Sequence, residues 1–158
     1  MNAAVLTISD SSAAGTRADR SGPAVRERLE QLGFAVPLLE VIPDDAACIG
    51  ARLSELADSG YVAAIFTTGG TGLGPRDVTP EATRAVLDRE IPGFGELMRS
   101  EGRRHTPLAS LSRAVSGARG KVLIVNLPGS PKGAVESLDA VAQLVPHVLD
   151  LLQGRTAH

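Results

Sequence analysis

Tyr61-Val62-Ala63-Ala64-Ile65-Phe66-Thr67-Thr68 runs directly into Gly69-Gly70-Thr71-Gly72-Leu73-Gly74-Pro75-Arg76-Asp77-Val78-Thr79-Pro80-Glu81, and this passage decides the fold. Its first eight residues are apolar or β-branched almost throughout, the pattern of a strand covered on both faces. Four glycines within six positions then leave backbone N–H groups unobstructed and allow positive φ, so the loop can close around an anion. Thr79-Pro80-Glu81 reads as a helix start: a capping hydroxyl, proline in the first turn and an acid that complements the dipole. Strand, anion loop and helix in succession make one unit of a parallel α/β sheet. Arg76 and Asp77 stand together at the far end of the loop, where a simple turn needs neither.

The same alternation extends in both directions. Ala3 to Ser9 is a short apolar strand, and Val25, Leu29 and Leu32 mark one face of a helix that Gly33 stops. Phe34 to Ile42 reads as a second strand, pushed toward a sheet edge by Pro37, which cannot donate to a central ladder. Ile49, Leu53 and Leu56 repeat the helical spacing up to Gly60. Beyond the glycine loop the helix from Thr79 is expected to reach about Glu90, where Ile91-Pro92-Gly93 breaks it and a further helix runs to about Arg104. Ser112 to Gly120 is a short strand or hairpin, Lys121 to Asn126 a clear strand. The last helical segment carries Val135, Leu138, Val141 and Ala142, breaks at Pro146 and resumes to Leu152, with Gly154 to His158 expected to fray. Strands alternating with helices predict a three-layer α/β/α fold around a mostly parallel sheet.

Composition narrows the function. The chain has 158 residues, enough for a core without disulfides or structural metal, and a formal net charge of −2, which leaves no footprint for nucleic acid or an anionic membrane. Aromatic residues are 3%, so stacking platforms for single strands are disfavoured. Cys48 is the only cysteine and is expected as a small buried hydrophobe in a helix. No signal peptide is expected before Val5, and no apolar run nears the roughly 18 residues of a membrane span, so the cytoplasm is the expected compartment.

Three segments could carry chemistry. The glycine loop has no lysine after its glycines, unlike a P-loop, and Pro75 stands where a dinucleotide fingerprint needs its third glycine. An anion held there must rely on backbone N–H groups, the threonine hydroxyls and Arg76. Asn126-Leu127-Pro128-Gly129-Ser130-Pro131-Lys132-Gly133 repeats the design, with Ser130 as N-cap and Pro131 at N1, and its free N–H groups suit a second anionic group. Pro43-Asp44-Asp45 follows the second strand, and one of the two aspartates is expected to cap the next helix. All three lie at strand C-termini, where open α/β sheets bind ligands. Carboxylates that converge on phosphates repel them unless a divalent cation intervenes, so Mg²⁺ is the implied metal.

These residues resemble the signature of the molybdopterin adenylyltransferase (Mog/MoaB) family. The resemblance is carried by Thr68-Gly69-Gly70-Thr71-Gly72, by Pro75 to Thr83, and by Ile8-Ser9-Asp10, Asp19-Arg20-Ser21-Gly22 and Pro43-Asp44. Pro92-Gly93-Phe94, Thr106 to Arg113 and Asn126 to Lys132 extend it over nearly the whole chain. It implies that residues 1–158 form one molybdopterin-binding domain that assembles as a homotrimer. The implied reaction is transfer of AMP from ATP to molybdopterin with release of pyrophosphate, dependent on Mg²⁺. By motif, Asp44 and Asp77 become the catalytic and metal-binding residues, Asp44 because it directly follows Pro43. Ser9, Thr68, Gly69, Gly70, Thr71 and Gly72 fall on the nucleotide side, and Ser112, Arg113, Pro128, Gly129 and Ser130 on the molybdopterin side. A transient contact with a molybdenum-insertion protein is also implied. Competing readings are a non-catalytic pterin-binding or scaffold module and a hydrolase of another nucleotide on the same fold. Both aspartates favour the enzyme, since a mere binder of anions gains nothing from added carboxylates.

Overall fold

The computed structural model describes residues 1–155. Its strands are Asn2–Ile8 (β1), Ala35–Ile42 (β2), Ala64–Thr68 (β3), Arg89–Glu90 (β4), Ser116–Arg119 (β5) and Val122–Leu127 (β6). Its helices are Asp10–Ala13 (α1), Ser21–Gln31 (α2), Ala46–Asp58 (α3), Thr79–Val86 (α4), Pro92–Gly102 (α5), Pro131–Val141 (α6) and Val145–Leu152 (α7). The strands form one sheet in the order β2-β1-β3-β6-β5-β4. The first four run parallel, joined by helical crossovers, and β5 and β4 complete the sheet antiparallel. A tight turn at Gly120 joins β5 to β6, and so short a connection permits only antiparallel pairing.

Strand pleating divides the core between the two faces. Ala3, Val5, Ala64, Phe66, Leu123, Val125 and Leu127 point to one side, against Val25 and Leu29 of α2, Phe94 and Met98 of α5, and the apolar faces of α6 and α7. Ala4, Leu6, Ile8, Ile65, Val122 and Ile124 point to the other, against Ile49, Leu53 and Leu56 of α3 and Ala82 of α4. A strand covered on both faces has no polar side, which is why β1, β3 and β6 read as continuous apolar runs. The three-layer, mostly parallel architecture expected from the sequence is the one observed.

Several local expectations need correction. Thr79 does not cap α4: the N-cap is Val78, and the Thr79 hydroxyl donates instead to the Gly69 carbonyl at 3.0 Å. That helix stops at Val86, because Arg89 and Glu90 are drawn into edge pairing with β5. Tyr61 to Ala63 precede β3 rather than belonging to it. Cys48 is exposed, since Ile49 and Leu53 take the buried face of α3 and leave position 48 outside it. Neither α1 nor the 3-10 turn at Pro107–Leu111 was expected. At the C-terminus, Gly154 and Arg155 are tied back to Leu151 and Asp150, and residues 156–158 of the expected frayed end lie outside the described residues. Pro37 does sit on an edge strand, where the β1–β2 register slips between Asn2 and Ala4.

Beside the apolar layers lies one buried polar knot. Asn126 is fully buried in β6; its Oδ1 accepts the Val115 N–H at 3.1 Å, and its Nδ2 donates to the Thr67 and Thr83 hydroxyls at 3.0 Å each. The amide thus binds β3, α4 and the approach to β5 at the point where the glycine loop leaves the sheet. Asn126→Leu should lower unfolding stability by about 3 kcal/mol, because it strands three buried polar groups at once. The shift of the urea midpoint at unchanged m-value measures this.

Candidate functional site

Register places the site. Ile8 pairs with Ile42, Thr7 with Thr68, and Thr68 with Leu127, so four parallel strands end level and deliver their loops to one edge. The glycine loop leaves β3 with φ of +103° at Gly69 and +66° at Gly70, a backbone that only glycine adopts freely. A side chain on Gly69 would strike the Ile8 carbonyl, and one on Gly70 the Thr79 hydroxyl. The Thr68 hydroxyl donates to the Pro128 carbonyl at 2.6 Å and the Gly69 N–H to the Leu127 carbonyl at 3.1 Å. The glycine loop and the Pro128-Gly129-Ser130 loop therefore form one continuous wall.

Two adjoining hollows open along this wall. The first, about 510 Å³, holds Ser9, Asp44, Thr68, Gly69, Gly70 and Asp77, together with Arg17 and Arg20. The second, about 460 Å³, holds Thr71, Gly72, Ser112 and Pro128, with an apolar wall at Leu108 and Leu111. Gly70, Asp77, Gly129 and Ser130 line both, so Asp77 stands at the junction. Ser130 also caps α6, accepting the Gly133 N–H at 3.1 Å, and Ser9 caps α1 through the Ser12 N–H. Arg113 lines neither hollow. Its guanidinium lies against the glycine loop, on the Gly72 and Asp77 carbonyls at 2.8 and 2.7 Å. Arg76 likewise lines neither, being paired with Asp10 at 2.9 Å.

The two adjacent aspartates separate cleanly. Asp45 is the cap of α3, accepting the Cys48 N–H at 2.9 Å. Asp44 faces the first hollow and exchanges backbone bonds with Asp10. The Asp10 N–H reaches Asp44 Oδ2 at 2.8 Å, and the Asp44 N–H reaches Asp10 Oδ1 at 3.0 Å. Burial pushes the Asp44 carboxyl above its ordinary range, and the charges of Asp10 and Asp77 push it further against the Asp10 N–H that favours ionisation. Asp10 is held below its usual range by the Arg76 guanidinium.

Among the described residues, no three His, Cys, Asp or Glu side chains converge to hold a metal by themselves. Asp44 and Asp77 nevertheless share a property suited to a hard cation. Each commits Oδ2 to a backbone N–H, of Asp10 and of Gly74 at 2.8 Å, and among the described residues each Oδ1 has no hydrogen-bond partner. Two fixed, half-free carboxylates fit Mg²⁺ that arrives with phosphate oxygens rather than a metal bound in a protein cage.

No local sequence pattern gives a role to Asp10, Arg17, Asp19 or Arg20. Asp19 receives the Thr7 hydroxyl at 2.7 Å and the Gly22 N–H at 3.0 Å, which fixes the segment that brings Arg17 and Arg20 into the first hollow. The Asp19-Arg20-Ser21-Gly22 run was the available signal; nothing local marks Arg17.

Known proteins resemble this chain in sequence and in fold. A family model described as a probable molybdopterin binding domain matches residues 4–147. The molybdopterin adenylyltransferase of Helicobacter pylori (strain J99) is 42% identical over 153 residues, covering 95% of this chain and 86% of that protein. The Escherichia coli (strain K12) protein of the same name is 42% identical over 164 residues, with 95% and 84% covered. The crystal structure of the molybdopterin biosynthesis enzyme MoaB from Thermus thermophilus superposes with a TM-score of 0.91 at 52% identity, covering 97% of this chain and 96% of that one. By the family model over residues 4–147, the 42% identity to relatives and the likeness in fold, the chain belongs to the molybdopterin adenylyltransferase (Mog/MoaB) family of molybdopterin-binding domains.

Proposed function

We propose that this protein is a molybdopterin adenylyltransferase of molybdenum cofactor biosynthesis, transferring AMP from ATP to molybdopterin with the help of Mg²⁺. The observation that carries the detailed reading is Asp77 at the junction of two hollows. The polar first hollow, with Arg17, Arg20 and the backbone of Gly69 and Gly70, suits the nucleotide's phosphates. The second hollow offers the apolar wall of Leu108 and Leu111 to the pterin, with Ser112, Gly129 and Ser130 supplying polar contacts. A phosphate oxygen of molybdopterin then attacks the α-phosphorus of ATP. The bond from that phosphorus to the bridging oxygen of the β-phosphate breaks, pyrophosphate leaves, and a new phosphoanhydride joins AMP to the pterin. A phosphate anion is already a nucleophile, so no general base is required.

Asp44 and Asp77 would hold Mg²⁺ brought by the nucleotide, and the bound ion would supply neutralisation of charge on the α-phosphate and the leaving pyrophosphate. The chain's own part is to fix both substrates in line. The glycine loop orients N–H groups, Arg17 and Arg20 attract the departing pyrophosphate, and the closely backed wall keeps the two phosphates adjacent. The cytoplasmic setting and the homotrimer implied by the family resemblance belong to the same proposal. Sedimentation should give a mass of three chains, and a fully active monomer would remove the trimer while leaving the site assignment intact. Among the described residues, no helix is long and apolar enough to cross a membrane.

The direct experiment incubates the protein with ATP, Mg²⁺ and molybdopterin and follows adenylated pterin and pyrophosphate. Asp77→Asn should lower the saturating rate about a hundredfold or more while leaving the fold intact, because asparagine still accepts the Gly74 N–H. Near-wild-type turnover at saturating Mg²⁺ would sink the role given to Asp77.

Asp44 makes a second, independent prediction. Its raised carboxyl means that the folded chain holds this proton more tightly than the unfolded chain does. The contribution to stability is therefore complete below the ordinary aspartate range and is lost as pH rises through the raised value. Ionised Asp44 costs stability at neutral pH. Asp44→Asn, measured without nucleotide, should raise Tm at pH 7 and show no gain below about pH 4, while abolishing turnover. A lowered Tm at neutral pH would contradict this.

A further inference from the structure

Two arginines tie the catalytic loop to the rest of the chain: Arg76 by an exposed side-chain pair with Asp10, and Arg113 by the loop's own backbone. The Arg113 backbone N–H donates to the Thr71 carbonyl at 2.9 Å, its Nε to the Gly72 carbonyl at 2.8 Å and its Nη2 to the Asp77 carbonyl at 2.7 Å. Its Nη1 pairs with Glu81 in the first turn of α4, and that contact holds the Glu81 carboxyl below its usual range. Among the described residues, every backbone hydrogen bond that joins residues 71–77 to a residue outside the loop goes to Arg113. Within the loop, Gly74 and Asp77 bond only to each other.

We infer that Arg113 is a positioning residue: it grips the glycine loop by its carbonyl oxygens, fixes Asp77 at the junction of the two hollows, and does so without touching the pterin. The inference rests on the adenylyltransferase reading of that junction. Glycines at 72 and 74 give this segment little stiffness of its own, and Leu73 is exposed and anchors nothing. A planar guanidinium spans two carbonyls and a carboxylate together; a lysine ammonium, a point charge on a flexible stem, cannot reproduce that fork. Arg113 also follows Ser112 in the chain, and Ser112 lines the second hollow. Arg84 and Arg99 share the hollow on the far side of Arg113, but neither donates to the loop.

The test compares wild type, Arg113→Ala and Arg113→Lys in adenylyl transfer, in titration with molybdopterin alone, and in amide exchange across residues 70–79. Arg113→Ala should lose about a hundredfold in kcat through misplacement of Asp77, yet keep its molybdopterin Kd within about twofold. Free guanidinium should restore part of the rate and methylammonium should not. Arg113→Lys should remain impaired while melting like wild type, which separates positioning from a failure to fold. A weakened molybdopterin Kd with kcat preserved would overturn the inference and make Arg113 a pterin ligand. An unchanged kcat in both variants would overturn it too. If wild type itself transfers no adenylate, the functional reading fails first, and amide exchange decides the rest. Faster exchange at Gly74 and Asp77 in Arg113→Ala upholds the grip, and unchanged exchange there refutes it.

Discussion

The approach of the glycine loop to the end of β1 governs this molecule. Gly69 lies so close to the Ile8 carbonyl that no side chain fits between them, and its backbone is left-handed. Everything at the cleft floor follows from that contact. With Gly69 seated, the Thr68 hydroxyl reaches Pro128, Gly129 packs on Gly69, and the loops from β1, β3 and β6 close into one surface. A β-carbon at position 69 would push the loop away from both neighbours. The two hollows would then no longer meet at Asp77.

Around that floor the chain keeps charge that folding alone would reject. Asp44 is half-buried beside two further carboxylates, and the resulting rise in its pKa makes its ionised form a free-energy cost to the fold. A structural aspartate would be expected to sit as Asp45 does, capping a helix and favoured as the anion. Two neighbouring residues of one type therefore show the difference between a carboxylate that serves the fold and one that opposes it. The opposition has a physical use only if something positive enters the cleft, and a cation accompanied by phosphates meets that requirement.

How far this could be read from the chain depended on the range of the forces involved. Continuous apolar runs reveal a doubly covered strand wherever they occur, so β1, β3 and β6 and the three-layer arrangement were legible. Pro37 announced an edge because a missing N–H is a local fact. Thr79 was misleading for the complementary reason: a hydroxyl before Pro80 looks like a cap, and only the folded loop offers it the Gly69 carbonyl instead. Cys48 was misplaced because composition says nothing about which side of a helix faces out. Of the adjacent pair, Asp44 and Asp45, no local rule could say which turns inward, since that choice is made by the Asp10 backbone 34 residues earlier. Arg17 was invisible for the same reason, its place being set by Asp19 bonding to Thr7 across the end of β1.

The arginines show how one residue type takes up distinct tasks in so small a space. Arg17 and Arg20 line the first hollow, and among the described residues neither is paired with a carboxylate. Their charge remains available to a ligand. Arg76 is committed to Asp10, which in turn exchanges backbone bonds with Asp44, so that pair steadies the ends of β1 and β2 while lowering the negative potential near the floor. Arg113 is turned to the back of the loop and acts on backbone oxygens. Free cations in front, a neutralised pair at the rim and a guanidinium brace behind are what a site needs if it must gather two anionic substrates without letting its own carboxylates repel them. The fold supplies the edge on which these groups meet, and the pairing of each arginine decides whether its charge reaches the substrate or the scaffold.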